Sequence, residues 1–156
     1  MFKTRLFLGF FLIVATFASC KKDSYNAEKQ AKIDDGLIAD FIAKNGIAAI
    51  KHSSGIYYQI ITPGSGDVSF NSSTAVVVNY EGRLLNGNVF DKSSSAITFV
   101  LGRLIQGWQI GIPLIQKGGR IRLIVPSTLA YKNQSPGPGI PENAVLDFTI
   151  DLISAQ

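Results

Sequence analysis

Val-Leu-Asp-Phe-Thr-Ile-Asp-Leu-Ile, residues 145–153, alternates in hydropathy from its second position onward. Leu146, Phe148, Ile150 and Leu152 fall on one side, and Asp147, Thr149 and Asp151 on the other. Successive side chains of a strand point to opposite faces, so this segment predicts a strand with one buried face and one face toward water. Residues 120–125 repeat the pattern, with Ile121, Leu123 and Val125 inward and Arg120 and Arg122 outward. In residues 75–85, Val76, Val78 and Tyr80 share a face. Residues 56–61 read as a first strand, closed by Thr-Pro-Gly-Ser-Gly at 62–66. Residues 106–115 break the period of two: Trp108, Ile112 and Ile115 line one side of a helix that Gly111 and Pro113 keep short. The expected fold is α+β, an antiparallel sheet wrapped around one short helix.

Upstream, residues 27–44 carry Ile33, Leu37, Ile38, Phe41 and Ile42 at helical spacing, and Asn45-Gly46 supplies a stop. Gly36 inside this helix costs about 1 kcal/mol relative to Ala, so the N-terminal helical extension needs something to pack against. Its own domain and a partner or second copy are both open as the surface it covers.

At the extreme N-terminus, Lys3 and Arg5 precede an apolar run from Leu6 to Ala18 that ends in Phe17-Ala18-Ser19-Cys20. A basic start, a short apolar core and small residues before the cut predict a secretory signal, and the run is short for a membrane span. The chain's one cysteine stands at the cut, an arrangement that resembles a bacterial lipobox, with Phe17 where such boxes more often carry Leu. The expected organisation is a signal peptide over 1–19, a lipidated tether and amphipathic helix over 20–53, and a folded domain over 54–156. Lys21 after the lipidated Cys20 does not resemble an Asp-type inner-membrane retention signal. The expected location is therefore the cell envelope, lipid-anchored in the outer membrane.

Composition excludes several kinds of chemistry. Lys3 and Arg5 leave with the signal and take with them two of the formal net charges of +4, so the basic balance predicts no nucleic-acid surface. With Cys20 lipidated, no thiol is left for a disulfide or redox centre. His52 is the only histidine and lies before the domain, so a Ser-His-Asp triad or a histidine metal site is not available. Gly64-Ser65-Gly66 has neither the spacing nor the Lys of a phosphate loop, and the scattered carboxylates offer no glycosidase pair. No cofactor or metal is expected.

Six segments remain: Val-Asn-Tyr-Glu-Gly (78–82), Gly-Asn-Val-Phe-Asp (87–91), Phe-Val-Leu-Gly (99–102), Leu-Ile-Gln-Gly-Trp (104–108), Leu-Ala-Tyr (129–131) and Gly-Ile-Pro-Glu-Asn-Ala (139–144). In this order and spacing they closely resemble the signature of FKBP-type peptidyl-prolyl cis/trans isomerases, across roughly residues 54–154. The resemblance implies the same sheet-and-helix fold and an apolar pocket that grips a proline. Trp108 would be its floor, and Tyr80, Phe90, Leu104, Ile105 and Phe148 its walls. Tyr131 would donate to a substrate carbonyl, the backbone N–H of Ile140 would be a second donor, and Asp91 would be the carboxylate at the edge. Taken singly, Phe90, Phe148, Leu104 and Ile105 read as ordinary core residues, Trp108 fits a core tryptophan and Asp91 a surface ion-pair partner; their combination is what points to a pocket.

The chain departs from the family pattern in four places. Ile97 stands where many members carry an aromatic wall residue, which would lower affinity for tacrolimus-like macrolides. Lys132 replaces a glycine after Tyr131, Glu142 replaces the second proline of Ile-Pro-Pro, and two to three residues are missing between Gly102 and Leu104. The implied activity is prolyl isomerisation on proline-containing exported polypeptides. The alternatives are a non-catalytic proline-binding chaperone and an assembly module of an envelope complex.

Overall fold

The structure, a computed structural model, describes residues 25–156. Cys20 and the leader before it lie outside the described residues. Helix α1 runs Ala27–Asn45, with the Asn26 side chain accepting from the Lys29 N–H at 2.9 Å and Gly46 closing it in a left-handed conformation. Seven strands follow: β1 Ile50–Lys51, β2 Tyr57–Thr62, β3 Ala75–Leu84, β4 Val89–Lys92, β5 Ile97–Val100, β6 Arg120–Val125 and β7 Leu146–Ala155. Helix α2, Gln106–Gly111, lies between β5 and β6 and continues into a 3-10 turn, Ile112–Leu114.

The strands form one antiparallel sheet in the order β1-β2-β6-β7-β3-β4, and β5 pairs with the other half of β3. The stretch that opened the sequence reading becomes β7, in the middle of the sheet, with Ile150 opposite both Ile121 of β6 and Tyr80 of β3. Its expected inward residues, Leu146, Ile150 and Leu152, are fully buried, as are Val76, Val78, Ile121 and Leu123. This face curls around α2. Gly107 and Gly111 set the closeness of that contact, because a Cβ on either would collide with Val125 or Leu123 of β6.

The other face differs from the expectation of open water. Asp147 and Ile124 are buried because α1 lies across that side of the sheet. Ile38 packs there with Tyr57, Ile124 and Val145, and Phe41 and Ile42 border the same cluster. Arg122 and Asp147 form a two-pronged pair, Nε to Oδ1 at 2.9 Å and Nη2 to Oδ2 at 2.6 Å, and the guanidinium stacks over the Phe41 ring. The helix therefore covers its own sheet. Of the expected apolar stripe, Ile38 is buried, whereas Ile33 and Leu37 stay about half exposed.

Candidate functional site

The site grows from the inner face of the sheet where β3, β4 and β7 meet the start of α2. Trp108, 4 % exposed, sits in the first turn of α2. Three rings meet it edge-on: Tyr80 of β3 at 5.2 Å between centroids, Phe148 of β7 at 5.2 Å and Phe99 of β5 at 6.3 Å. Phe90 of β4 then meets Phe148 at 5.6 Å and 90°. Such edge-to-face pairs contribute about 0.5–1.5 kcal/mol each beyond their buried area, and here they fix the rings as a rigid floor and wall. Gly82 makes room for them: a Cβ there would lie 2.6 Å from Phe90 and 2.8 Å from Phe148. The Trp108 Nε1–H has no partner among the described residues, so the indole is held by packing alone.

Above the floor lies an open cavity of about 280 Å³, walled further by Leu104 and Ile105 from the connection into α2. Gln109 fixes that connection by donating to the Leu104 carbonyl at 2.7 Å. Asp91 and Tyr131 stand at the rim. The Tyr80 phenol donates to Asp91 Oδ2 at 2.6 Å. Burial first, then this hydrogen bond, pushes the Tyr80 phenol up to about 12. Burial and, after it, the charge of Asp91 also raise the Tyr131 phenol. Both hydroxyls are therefore neutral donors at physiological pH.

A side groove of about 210 Å³ continues from the same Phe90, Asp91 and Tyr131 toward Pro136, Pro138 and Ile140. The Ile140 N–H, expected as a second donor to substrate, turns toward the Gly137 carbonyl at 3.4 Å, a long bond within its own loop. Ser135 ties that loop by reaching both the Gly137 and Ile140 carbonyls, at 2.9 and 2.7 Å. Lys132 adopts the left-handed backbone that its glycine-replacing position demands, at φ 59°. Two backbone bonds hold it there: its N–H donates to Ser127 O and its carbonyl accepts from Asn143 N, both at 2.8 Å.

The cavity thus unites Tyr80, Phe90, Asp91, Leu104, Ile105, Trp108, Tyr131 and Phe148. Ile97 is not part of its lining; it begins β5 opposite Val78. Phe99, two residues on along the same strand, supplies an aromatic wall, and Arg103 brings a cation to the rim. Neither was singled out from the sequence. Phe99 stood inside a quoted segment, and its inward direction follows only from the pairing of β5 with β3.

A family model described as FKBP-type peptidyl-prolyl cis-trans isomerase matches residues 66–153. FKBP-type peptidyl-prolyl cis-trans isomerase FkpA of Escherichia coli is 35 % identical over 146 residues, covering 92 % of this chain and 52 % of the relative. A probable FKBP-type isomerase of Haemophilus influenzae is 34 % identical over 143 residues, covering 89 % and 58 %. This chain thus spans about half the length of these curated relatives. Among solved structures, Escherichia coli FkpA superposes with a TM-score of 0.70 at 34 % identity, covering 83 % of this chain and 62 % of that one. A peptidyl-prolyl cis-trans isomerase of Pseudomonas syringae gives 0.71 at 30 % identity, covering 85 % and 98 %.

Proposed function

Since this chain belongs to the FKBP-type peptidyl-prolyl cis-trans isomerases, we propose that it catalyses rotation about X-Pro bonds in exported polypeptides while held at a membrane by a lipid on Cys20. The observation that carries the catalytic part is the apolar cavity on Trp108 with two neutral phenols and one carboxylate at its mouth.

Peptide-bond rotation faces a barrier of roughly 18–20 kcal/mol, and an X-Pro bond takes about tens to hundreds of seconds unaided. The reaction makes and breaks no covalent bond, so it needs no nucleophile. In the twisted transition state the amide loses resonance and its carbonyl is less polarised. A cavity that removes water from the planar amide disfavours the ground state more than the twisted one, and that difference accelerates the step. The pyrrolidine lies on Trp108 between Phe148 and Phe90. Tyr131 donates to a substrate carbonyl. Tyr80 holds Asp91 in place, so the carboxylate faces the carbonyl region without wandering into the apolar floor.

A protease-coupled assay on an Ala-Leu-Pro-Phe-type peptide tests this reading. Acceleration above the spontaneous rate at micromolar protein supports it. Peptide binding without acceleration favours the proline-binding chaperone instead. Tacrolimus-like macrolides occupy the same cavity in this reading, and competitive inhibition of turnover checks that. The envelope location rests on the leader and on Cys20, which the amino-acid pattern alone supports.

A further inference from the structure

We propose that Asp34 of α1 is a positioning residue for Tyr131, acting through Ser127, so that this one clasp, and not the apolar docking of the helix, bears on the site. The proposal rests on the isomerase reading above. Asp34 is a fully buried acid on a helix that precedes the 66–153 family match. Its Oδ2 accepts from the Ser127 N–H at 2.8 Å and from the Ser127 hydroxyl at 2.6 Å. Its Oδ1 accepts from Gln30 Nε2 at 2.8 Å. A buried carboxylate persists only where donors satisfy it, and most of these donors come from one residue of the loop that leads to the cavity.

Ser127 is also the anchor of that loop. Its carbonyl accepts from the Ala130 N–H at 3.0 Å and from the Lys132 N–H at 2.8 Å, the two residues flanking Tyr131. Lys132 is left-handed at φ 59°, a conformation that a lysine does not keep unassisted. Asp34 therefore grips the N–H and hydroxyl of the residue whose carbonyl sets the backbone on both sides of the catalytic phenol. Simple docking of α1 is already provided by Ile38 and the Arg122–Phe41 stack. The clasp to Ser127 goes further and reaches the site.

The test compares Asp34→Ala, Asp34→Asn and Ile38→Ala in the full chain, at a temperature where circular dichroism reports each as folded. Asp34→Ala should lower kcat/KM about fivefold, short of the loss from Tyr131→Phe, because it displaces the hydroxyl that the latter removes. Asp34→Asn keeps an acceptor oxygen for both Ser127 donors and should regain most of the loss. Ile38→Ala loosens the same helix without touching the clasp and should stay within about twofold of wild type. In a Tyr131→Phe background the effect of Asp34→Ala should shrink, because the two changes act on one group. A folded Asp34→Ala with an unchanged rate overturns the proposal, as does an equal loss in Ile38→Ala or strict additivity with Tyr131→Phe. Should Asp34→Ala not fold, Ser127→Ala, which removes only the hydroxyl donor, takes its place with a smaller loss expected. If wild type proves inactive the isomerase reading fails, and amide exchange then decides the clasp. Faster exchange at Lys132 in Asp34→Ala, with β6 and β7 unchanged, supports it; uniform change across the sheet overturns it.

Discussion

Asp91 serves two phenols with one carboxylate. Tyr80 takes its Oδ2, and Tyr131 feels only its charge. Tyr131→Phe removes one donor and keeps the ring, so kcat/KM should fall by up to about tenfold, the value of one hydrogen bond, with the melting temperature unchanged. Asp91→Val should cost more, because it also leaves the Tyr80 hydroxyl without its acceptor; the coupled assay compares the two. The raised Tyr80 phenol has a consequence for pH. An unfolded tyrosine ionises near about 10, whereas the folded one is pushed up to about 12. Folding therefore gains from Tyr80 in full below pH of about 10 and loses that gain as pH rises toward 12. Thermal melts across this window should show a progressive decline that Tyr80→Phe reduces. Most of these rim and floor residues were legible as a set of spaced segments. Asp34 was not, since an acid beside an apolar helical stripe reads as solvent-facing until the turn at Ser127 that it meets is known. Ile97 was expected in the wall and Phe99 was not singled out, because the two lie two residues apart on one face of β5 and alternation does not say which of them reaches the cavity.

Among the elements, the strong alternations at β3, β6 and β7 could be read because each strand buries one long face on α2. The short strands β1, β4 and β5 hold two to four residues each, too few for a period of two to show, and take their form from pairing with β2 and β3. The outer face of β6 and β7 misled the reading for the same reason: Arg122 and Asp147 look like solvent-facing charges, and only the arrival of α1 turns them into a covered pair. Ile38 is the apolar centre of that contact, at 0 % exposure. Ile38→Ala should lower stability by roughly 2–5 kcal/mol, read as a shift in the urea midpoint. If α1 contributed little, the shift would be no larger than for an exposed position such as Leu37.

For the molecule as a whole, no helix among the described residues is long and apolar enough to cross a membrane. The attachment we propose is at Cys20, where each buried methylene of an acyl chain adds about 0.8 kcal/mol. Cys20→Ser should abolish incorporation of a palmitate analogue and leave the catalytic constants of the purified protein unchanged. Sheet topology has a further effect, on the order in which the chain can acquire its shape. β7 stands between β6 and β3, so Val76 must find Ala155 and Arg120 must find Asp151 before the sheet closes. A polypeptide emerging from its N-terminus lacks this central strand until β7, the last strand in sequence order among the described residues, has been made. Pairings this distant in sequence make folding slow relative to helical proteins of similar size. A nascent chain stalled before Leu146 should accordingly remain protease-sensitive and unfolded, and should become resistant only once the ten residues of β7, Leu146–Ala155, are free to insert.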